Sequence, residues 1–238
     1  MTIMTLPQNQ MAKIEAFPSR EALFDAAASV LALALTDGVA KRGQAGFAAT
    51  GGTTPAPVYD RLATMTVPWN NVVVTLTDDR FVPPSHAGSN EGLVRRHLLV
   101  DKAAKASFAP LYFEGVSQQE SAELAQAGVA KVLPFAVVLL GVGADGHFAS
   151  LFPGNPALAV GLDPKTDRTV VAAPAGEPAP DLPRISLTFQ ALIQSSLIVL
   201  LVTGEAKKTL LEGPVDPSLP IAAILNQDRA PVRILWAE

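Results

Sequence analysis

The chain has 238 residues, a formal net charge of −4, 49% hydrophobic and 17% charged residues, and no cysteine. That composition describes a globular chain able to bury one sizeable core and not a disordered one. The charge argues against a general nucleic-acid binder while leaving room for a small anionic substrate, and the missing thiols exclude disulfides, thiol catalysis and thiolate metal sites. No apolar run approaches the roughly 18 residues of a membrane span. The N-terminal MTIMTLPQNQ lacks a basic region followed by an apolar core, so no secretory signal is expected and a cytoplasmic location fits.

Taken in chain order, apolar residues at 23, 24, 27, 30, 31, 34 and 35 draw a helical stripe over residues 20–39. Residues 46–50 are a strand candidate, followed by GGTTP at 51–55. Pro55 suits the first turn of a helix whose buried face Val58, Leu62 and Met65 mark. Strand, glycine turn and helix in that order leave the N–H groups of the helix start free. With the hydroxyls of Thr53 and Thr54 these form a natural phosphate cradle, although an ordinary capped turn uses the same residues.

Residues 71–77, NVVVTLT, are the next strand, rich in β-branched side chains, and run out at Asp78, Asp79 and Arg80. Pro83 and Pro84 force a loop through His86, and Ser89 or Asn90 can cap the helix carrying Leu93, Val94 and Leu98. An Asp-Asp-Arg cluster can be merely solvated or internally paired, but the carboxyl end of a strand is also where an open α/β sheet holds its ligand. Arg95, Arg96 and His97 read as the solvent face of that helix. Ser117 and Glu120 fit a capping box for a helix reaching about Val132.

The apolar run FAVVLL at 135–140 has the length and composition of a buried strand. It empties into Gly141, Gly143 and Gly146, with Asp145 and His147 in the turn, a carboxylate beside an imidazole. Pro153, Gly154 and Pro156 break the chain, and residues 161–183 are loop-rich with one strand candidate at 169–173. RISLT at 184–188 alternates, 196–202 is another buried strand, and Thr203-Gly204 leads into a helix carrying Lys207 and Lys208. A short helix at 219–225 and a strand at 232–236 complete the chain. Strands alternating with helices predict an α/β fold, a mainly parallel sheet with helices on both faces, as a single domain over 1–238.

Three chemistries fit poorly. GVGADG at 141–146 satisfies G-x-G-x-x-G after a strand, but HFASLFPG follows instead of a long helix. The acid at a tolerable distance, Asp163, lies between Gly161 and Pro164 with no strand leading to it. The three histidines, His86, His97 and His147, show no paired metal-ligand spacing, although His147 and Asp145 with Asp78 or Asp79 could supply three ligands. Ser150 has no G-x-S-x-G elbow around it.

GGTTP (51–55), TDDRFVPPSHAGSN (77–90) and LGVGADGHFASLFPG (140–154), with PRISLT (183–188) and TGEAKK (203–208), resemble in order the signature blocks of the 6-phosphogluconolactonase family. The resemblance implies a Rossmann-like fold of the sugar-phosphate isomerase/deaminase type. It also implies cofactor-free, metal-free hydrolysis of 6-phosphoglucono-δ-lactone to 6-phosphogluconate in the oxidative pentose phosphate pathway. By the same resemblance His147 is the general base, a role suited to an imidazole. Asp78 and Asp145 would orient it or hold sugar hydroxyls, and Arg80 would stabilise the oxyanion. Gly51, Gly52, Thr53, Arg184 and Lys207 match positions around the sugar phosphate. Asp79 departs from the family's more frequent Glu. Phe152 stands where the related glucosamine-6-phosphate deaminases have a glutamate, which disfavours deaminase or isomerase chemistry. A non-catalytic sugar-phosphate sensor would need no His147. The expected partner is the phosphorylated sugar lactone, with no nucleic acid and no membrane, and the expected state a monomer or weak homo-oligomer.

Overall fold

All six residues of Phe135–Leu140 are buried in the computed structural model, which describes residues 13–176 and 180–238. MTIMTLPQNQ, with the secretory-signal reading, and residues 177–179 of the loop-rich stretch lie outside the described residues. In chain order the elements are β1 (Ile14–Ala16), α1 (Arg20–Arg42), β2 (Ala45–Ala49), α2 (Ala56–Thr64), β3 (Val72–Leu76), β4 (Asp78–Arg80), α3 (Asn90–His97) and β5 (Ser107–Phe108). They continue with α4 (Gln118–Ala130), β6 (Phe135–Leu140), α5 (Leu158–Leu162), β7 (Val170–Ala173), β8 (Arg184–Leu187) and α6 (Phe189–Leu192). The last are β9 (Ile198–Thr203), α7 (Glu205–Leu211), α8 (Ile221–Asn226) and β10 (Val232–Ala237).

Seven strands form one sheet in the order β1-β10-β9-β6-β2-β3-β5, and every neighbouring pair is parallel. β6 lies at its centre between β9 and β2. A strand with neighbours on both edges and helices over the sheet has no solvent face, which is why its sequence is a continuous apolar run and not an alternation. The α/β fold with a mainly parallel, helix-flanked sheet is as expected, and the buried apolar residues other than Phe152 and Ala222 form one core cluster.

Helix α1 starts at Ser19, whose hydroxyl accepts from the Ala22 N–H, and runs beyond residue 39 to a left-handed Gly43 (φ 74°). That glycine supplies the termination that the apolar stripe alone could not locate. An 18-residue window within α1 has a mean hydropathy of 1.6, so the helix is long and apolar enough to cross a membrane, an exception to the expectation from continuous runs. Here Leu23, Phe24, Ala27, Ala28, Leu31 and Leu35 are buried in the core. The capping box at Ser117 and Glu120 is present.

The main correction concerns residues 78–80. They are not a loop beyond a strand end but β4, which belongs to a second sheet, β4-β8-β7, with antiparallel pairing throughout. Asp-Asp-Arg has little strand propensity, so only its pairing with Arg184–Ser186, 104 to 108 positions on, reveals it. β1, β5, α5 and α6 likewise went unread, each too short to show a period.

Candidate active site

A cleft of about 270 Å³ opens over the carboxyl ends of β2, β6 and β9, with the second sheet as a side wall. Its lining includes Gly51, Gly52, Thr53, Asp78, Arg80, His147, Arg184 and Lys207, which sequence reasoning had named from five separate stretches. Asp145 is not in the lining and stands behind His147.

On the β2 side, the N–H groups of Gly51, Gly52, Thr53 and Thr54 donate to no acceptor among the described residues. They precede α2, whose first turn has no side-chain cap. Unsatisfied N–H groups at the positive end of a helix make a site for an anion. Two contacts set the loop's path. The buried Tyr59 hydroxyl, on α2, donates to the Thr50 carbonyl at 2.6 Å. Gly51 lies so near Asn90 that a Cβ there would fall 1.8 Å from Asn90 Oδ1.

The β6 loop carries the imidazole. His147 Nδ1 is 2.6 Å from Asp145 Oδ1, which also accepts the His147 backbone N–H at 3.2 Å. With Nδ1–H donated to a carboxylate, the lone pair is left on Nε2. Burial works to raise the Asp145 carboxyl, but the hydrogen bond and charge of His147 outweigh it and hold it below the usual carboxylate range. The pair folds over Gly143, where a Cβ would lie 2.1 Å from His147 Nδ1 and 2.3 Å from Asp145 Oδ1. Gly143 N–H donates to the His147 carbonyl and Gly146 N–H to the Gly143 carbonyl. These N–H groups close the loop on itself instead of facing a pyrophosphate, and the next helix, α5, begins only at Leu158.

The second sheet explains the DDR triplet. Strand alternation sends Asp78 and Arg80 to the cleft and Asp79 to the other face. The carboxylate of Asp79, 1% exposed, accepts the N–H groups of Arg80, Asn90 and Glu91 and the Ser89 hydroxyl, and so anchors the start of α3. Burial pushes its carboxyl up to about 7 against the pull of those N–H groups. Asp78 accepts the Ser150 hydroxyl at 2.6 Å and lies 3.9 Å from Arg184. Ser150 is therefore a buried support for Asp78. Register places Arg80 directly opposite Arg184 and Asp78 opposite Ser186. Two like charges facing each other across a ladder are destabilising without an anion between or beside them. Arg80 donates to Gly88 O and Asn90 Oδ1, while Arg184 Nε is buried without a hydrogen-bond partner among the described residues. Burial lowers the Arg184 guanidinium from its ordinary value, opposed by the charge of Asp78.

Lys207 and Lys208 diverge. Lys207 lines the cleft, whereas Lys208 pairs with Glu205 at 3.0 Å and covers the Trp236 ring. Sequence reasoning missed Asn90 as part of the site. It had suggested itself only as a cap, a task that Ser89 performs, and Asn90 instead joins Arg80 to the Asp78 carbonyl while lining the cleft. Among the described residues, no three His, Cys, Asp or Glu side chains are grouped as a metal site.

Comparison with known proteins bears on this geometry. The profile of the family described as glucosamine-6-phosphate isomerases/6-phosphogluconolactonase matches residues 18–236. The chain belongs to that family. It is 72% identical to a 6-phosphogluconolactonase of Caulobacter vibrioides over 95% of this chain and 97% of the relative. It is 42% identical to one of Mesorhizobium japonicum over 93% and 94%. The crystal structure of a 6-phosphogluconolactonase from Shewanella baltica superposes with a TM-score of 0.89 at 33% identity, covering 96% of this chain and 99% of that one. Within the glucosamine-6-phosphate isomerase/6-phosphogluconolactonase family, the position expected to separate the two chemistries is Phe152. It is buried, with its ring against His147.

Proposed function

We propose that this protein hydrolyses 6-phospho-D-glucono-1,5-lactone to 6-phospho-D-gluconate in the oxidative pentose phosphate pathway. The observation that carries the reading is the meeting of two features in one cleft: an imidazole fixed at Nδ1 by Asp145, and cations facing it without full compensation. Nε2 of His147 takes a proton from water as the water oxygen bonds to the lactone carbonyl carbon. The resulting oxyanion is stabilised by Arg80, held in place by Gly88 and Asn90. As the tetrahedral intermediate collapses, the bond from that carbon to the ring oxygen breaks. The imidazolium returns its proton to the departing oxygen, leaving a free hydroxyl and a carboxylic acid that ionises to the carboxylate by releasing its proton to solvent. Asp145 balances the transient charge, and Asp78 holds sugar hydroxyls or sets the angle of Arg184. The N–H groups of Gly51, Gly52 and Thr53, with Arg184 and Lys207, hold the phosphate. We place this single-domain enzyme in the cytoplasm, as a monomer or weak homo-oligomer with no membrane or nucleic-acid partner.

The test follows acid release from freshly generated lactone above the spontaneous background, with and without chelator, beside a glucosamine-6-phosphate deamination assay. Chelator-insensitive acceleration without deamination is expected. Deamination would overturn the reading in favour of the family's other activity. Binding of 6-phosphogluconate without any acceleration would reduce the protein to a sensor.

A further inference from the structure

Phe152 is 6% exposed, and its ring is shared between two side chains of the cleft. The His147 imidazole lies over it with centroids 4.1 Å apart and planes 32° from parallel. The Arg184 guanidinium carbon stands 5.2 Å from the same phenyl centroid. Among the described residues no other aromatic ring is shared in this way.

Among the described residues no hydrogen bond or ion pair joins the two side chains directly, although the His147 loop reaches β8 through Ser150, whose N–H donates to Ser186 Oγ and whose hydroxyl donates to Asp78 beside Arg184. His147 belongs to the loop after β6 in the large sheet, and Arg184 to β8 in the small one. The hydrogen bond to Asp145 fixes one imidazole nitrogen but leaves the ring able to swing about that axis, and a phenyl face at stacking distance removes that freedom. Among the described residues Arg184 is short of polar restraint, with Nε unpartnered and the Asp78 carboxylate oxygen 3.9 Å away. Its placement rests on packing, and the negative face of an aromatic ring is a favourable seat for a guanidinium.

We propose that Phe152 is a positioning residue that ties the general base to the anion-binding guanidinium. It holds Nε2 of His147 and the Arg184 fork at one spacing, so that a substrate seated by its phosphate presents its carbonyl to the base. This rests on the lactonase reading of the site. It gives the ring a positive task beyond the absence of a carboxylate at that position.

Phe152→Leu removes the ring at similar bulk, and Phe152→Tyr keeps it. The leucine variant should lose roughly 10- to 100-fold in kcat, as expected for a base displaced by a fraction of an ångström. Its Kd for 6-phosphogluconate should also rise severalfold, while the tyrosine variant stays within about threefold of wild type. In a His147→Ala background, Phe152→Leu should cost no further rate yet still weaken product binding, because the two roles act through different partners. Wild-type values of kcat and Kd in Phe152→Leu would overturn the proposal, as would an equal further rate loss in the His147→Ala background, or a tyrosine variant as impaired as the leucine one. Wild-type protein without lactonase activity would remove the functional reading itself, a distinct outcome. One measurement needs no variant at Phe152: the carbon-bound ring protons of His147, assigned with His147→Ala, should resonate upfield of those of His86 and His97. Their absence from the upfield region would also overturn the stacking role.

Discussion

The large sheet carries a depression at each end, and the two are almost the same size, about 270 Å³ over the carboxyl ends of the strands and about 280 Å³ at the amino ends. The second is walled by Val30, Leu33 and Ala34 of α1 and floored by Ala136, Leu197 and Pro231. It too has cations, but their charges are already accommodated. Arg233 makes two hydrogen bonds to Glu15, at 2.7 and 2.6 Å. Lys41 and Arg42 occupy the last turn of α1, where the negative end of the helix favours them. In the first, by contrast, Arg80 faces Arg184, and among the described residues Lys207 has no carboxylate within ion-pair distance and four consecutive N–H groups lack acceptors. Volume therefore does not distinguish a candidate site from a surface groove. The distinction lies in convergent, uncompensated polarity, and the chain direction in a parallel sheet delivers it to one end only.

This contrast can be broken by substitution. The largest effect is expected from His147→Ala, a fall in kcat on the order of 10²–10⁴ with little change in 6-phosphogluconate affinity; wild-type turnover would refute the proposed base. Gly143→Ala forces a Cβ into the His147–Asp145 pair and should cost about 10² in kcat through misplacement, read with the melting temperature as a check that the fold survives. Arg184→Ala should mainly weaken product binding, by roughly 10- to 100-fold, as for loss of a charge-assisted bond. Unchanged affinity in titration calorimetry would remove Arg184 from the phosphate site.

A subtler difference concerns stability. Because the folded Asp79 carboxyl is raised to about 7 from an ordinary value of 3.8, the folded chain keeps a proton between those values that the unfolded chain has released. Stability contributed by this group is thus full below the unfolded value and lost as pH rises through the folded one. Asp79→Asn should lower stability overall but flatten its decline between about pH 4 and 7, measurable by urea unfolding at several pH values. An identical slope in wild type and variant would refute the assignment. Smallest of all, Leu33→Ser in the opposite groove, at a side chain 64% exposed, should leave kcat and product affinity unchanged and move stability by no more than about 0.5 kcal/mol. A loss of activity there would show that the two ends are coupled.

The sequence alone was enough to read the five inner strands of the large sheet and the cleft's loops. β6 announced itself because a strand covered on both faces must be apolar throughout, and α1 and α4 because one-sided burial leaves a stripe or a cap that neighbouring residues spell out. GGTTP and GADGH were legible for a similar reason, since glycine, hydroxyl and carboxylate at short spacing act through local backbone geometry. Tertiary structure decided what depends on distant pairing. It turned Asp78–Arg80 into a strand, set Arg80 against Arg184 by register, and assigned Asp78 to the cleft and Asp79 to a buried helix anchor. It also brought Asn90 under Gly51, separated Lys207 from Lys208, and laid one phenyl ring between His147 and Arg184. None of these contacts leaves a local period, because each partner is supplied by another strand or loop, and only the folded chain brings the two together.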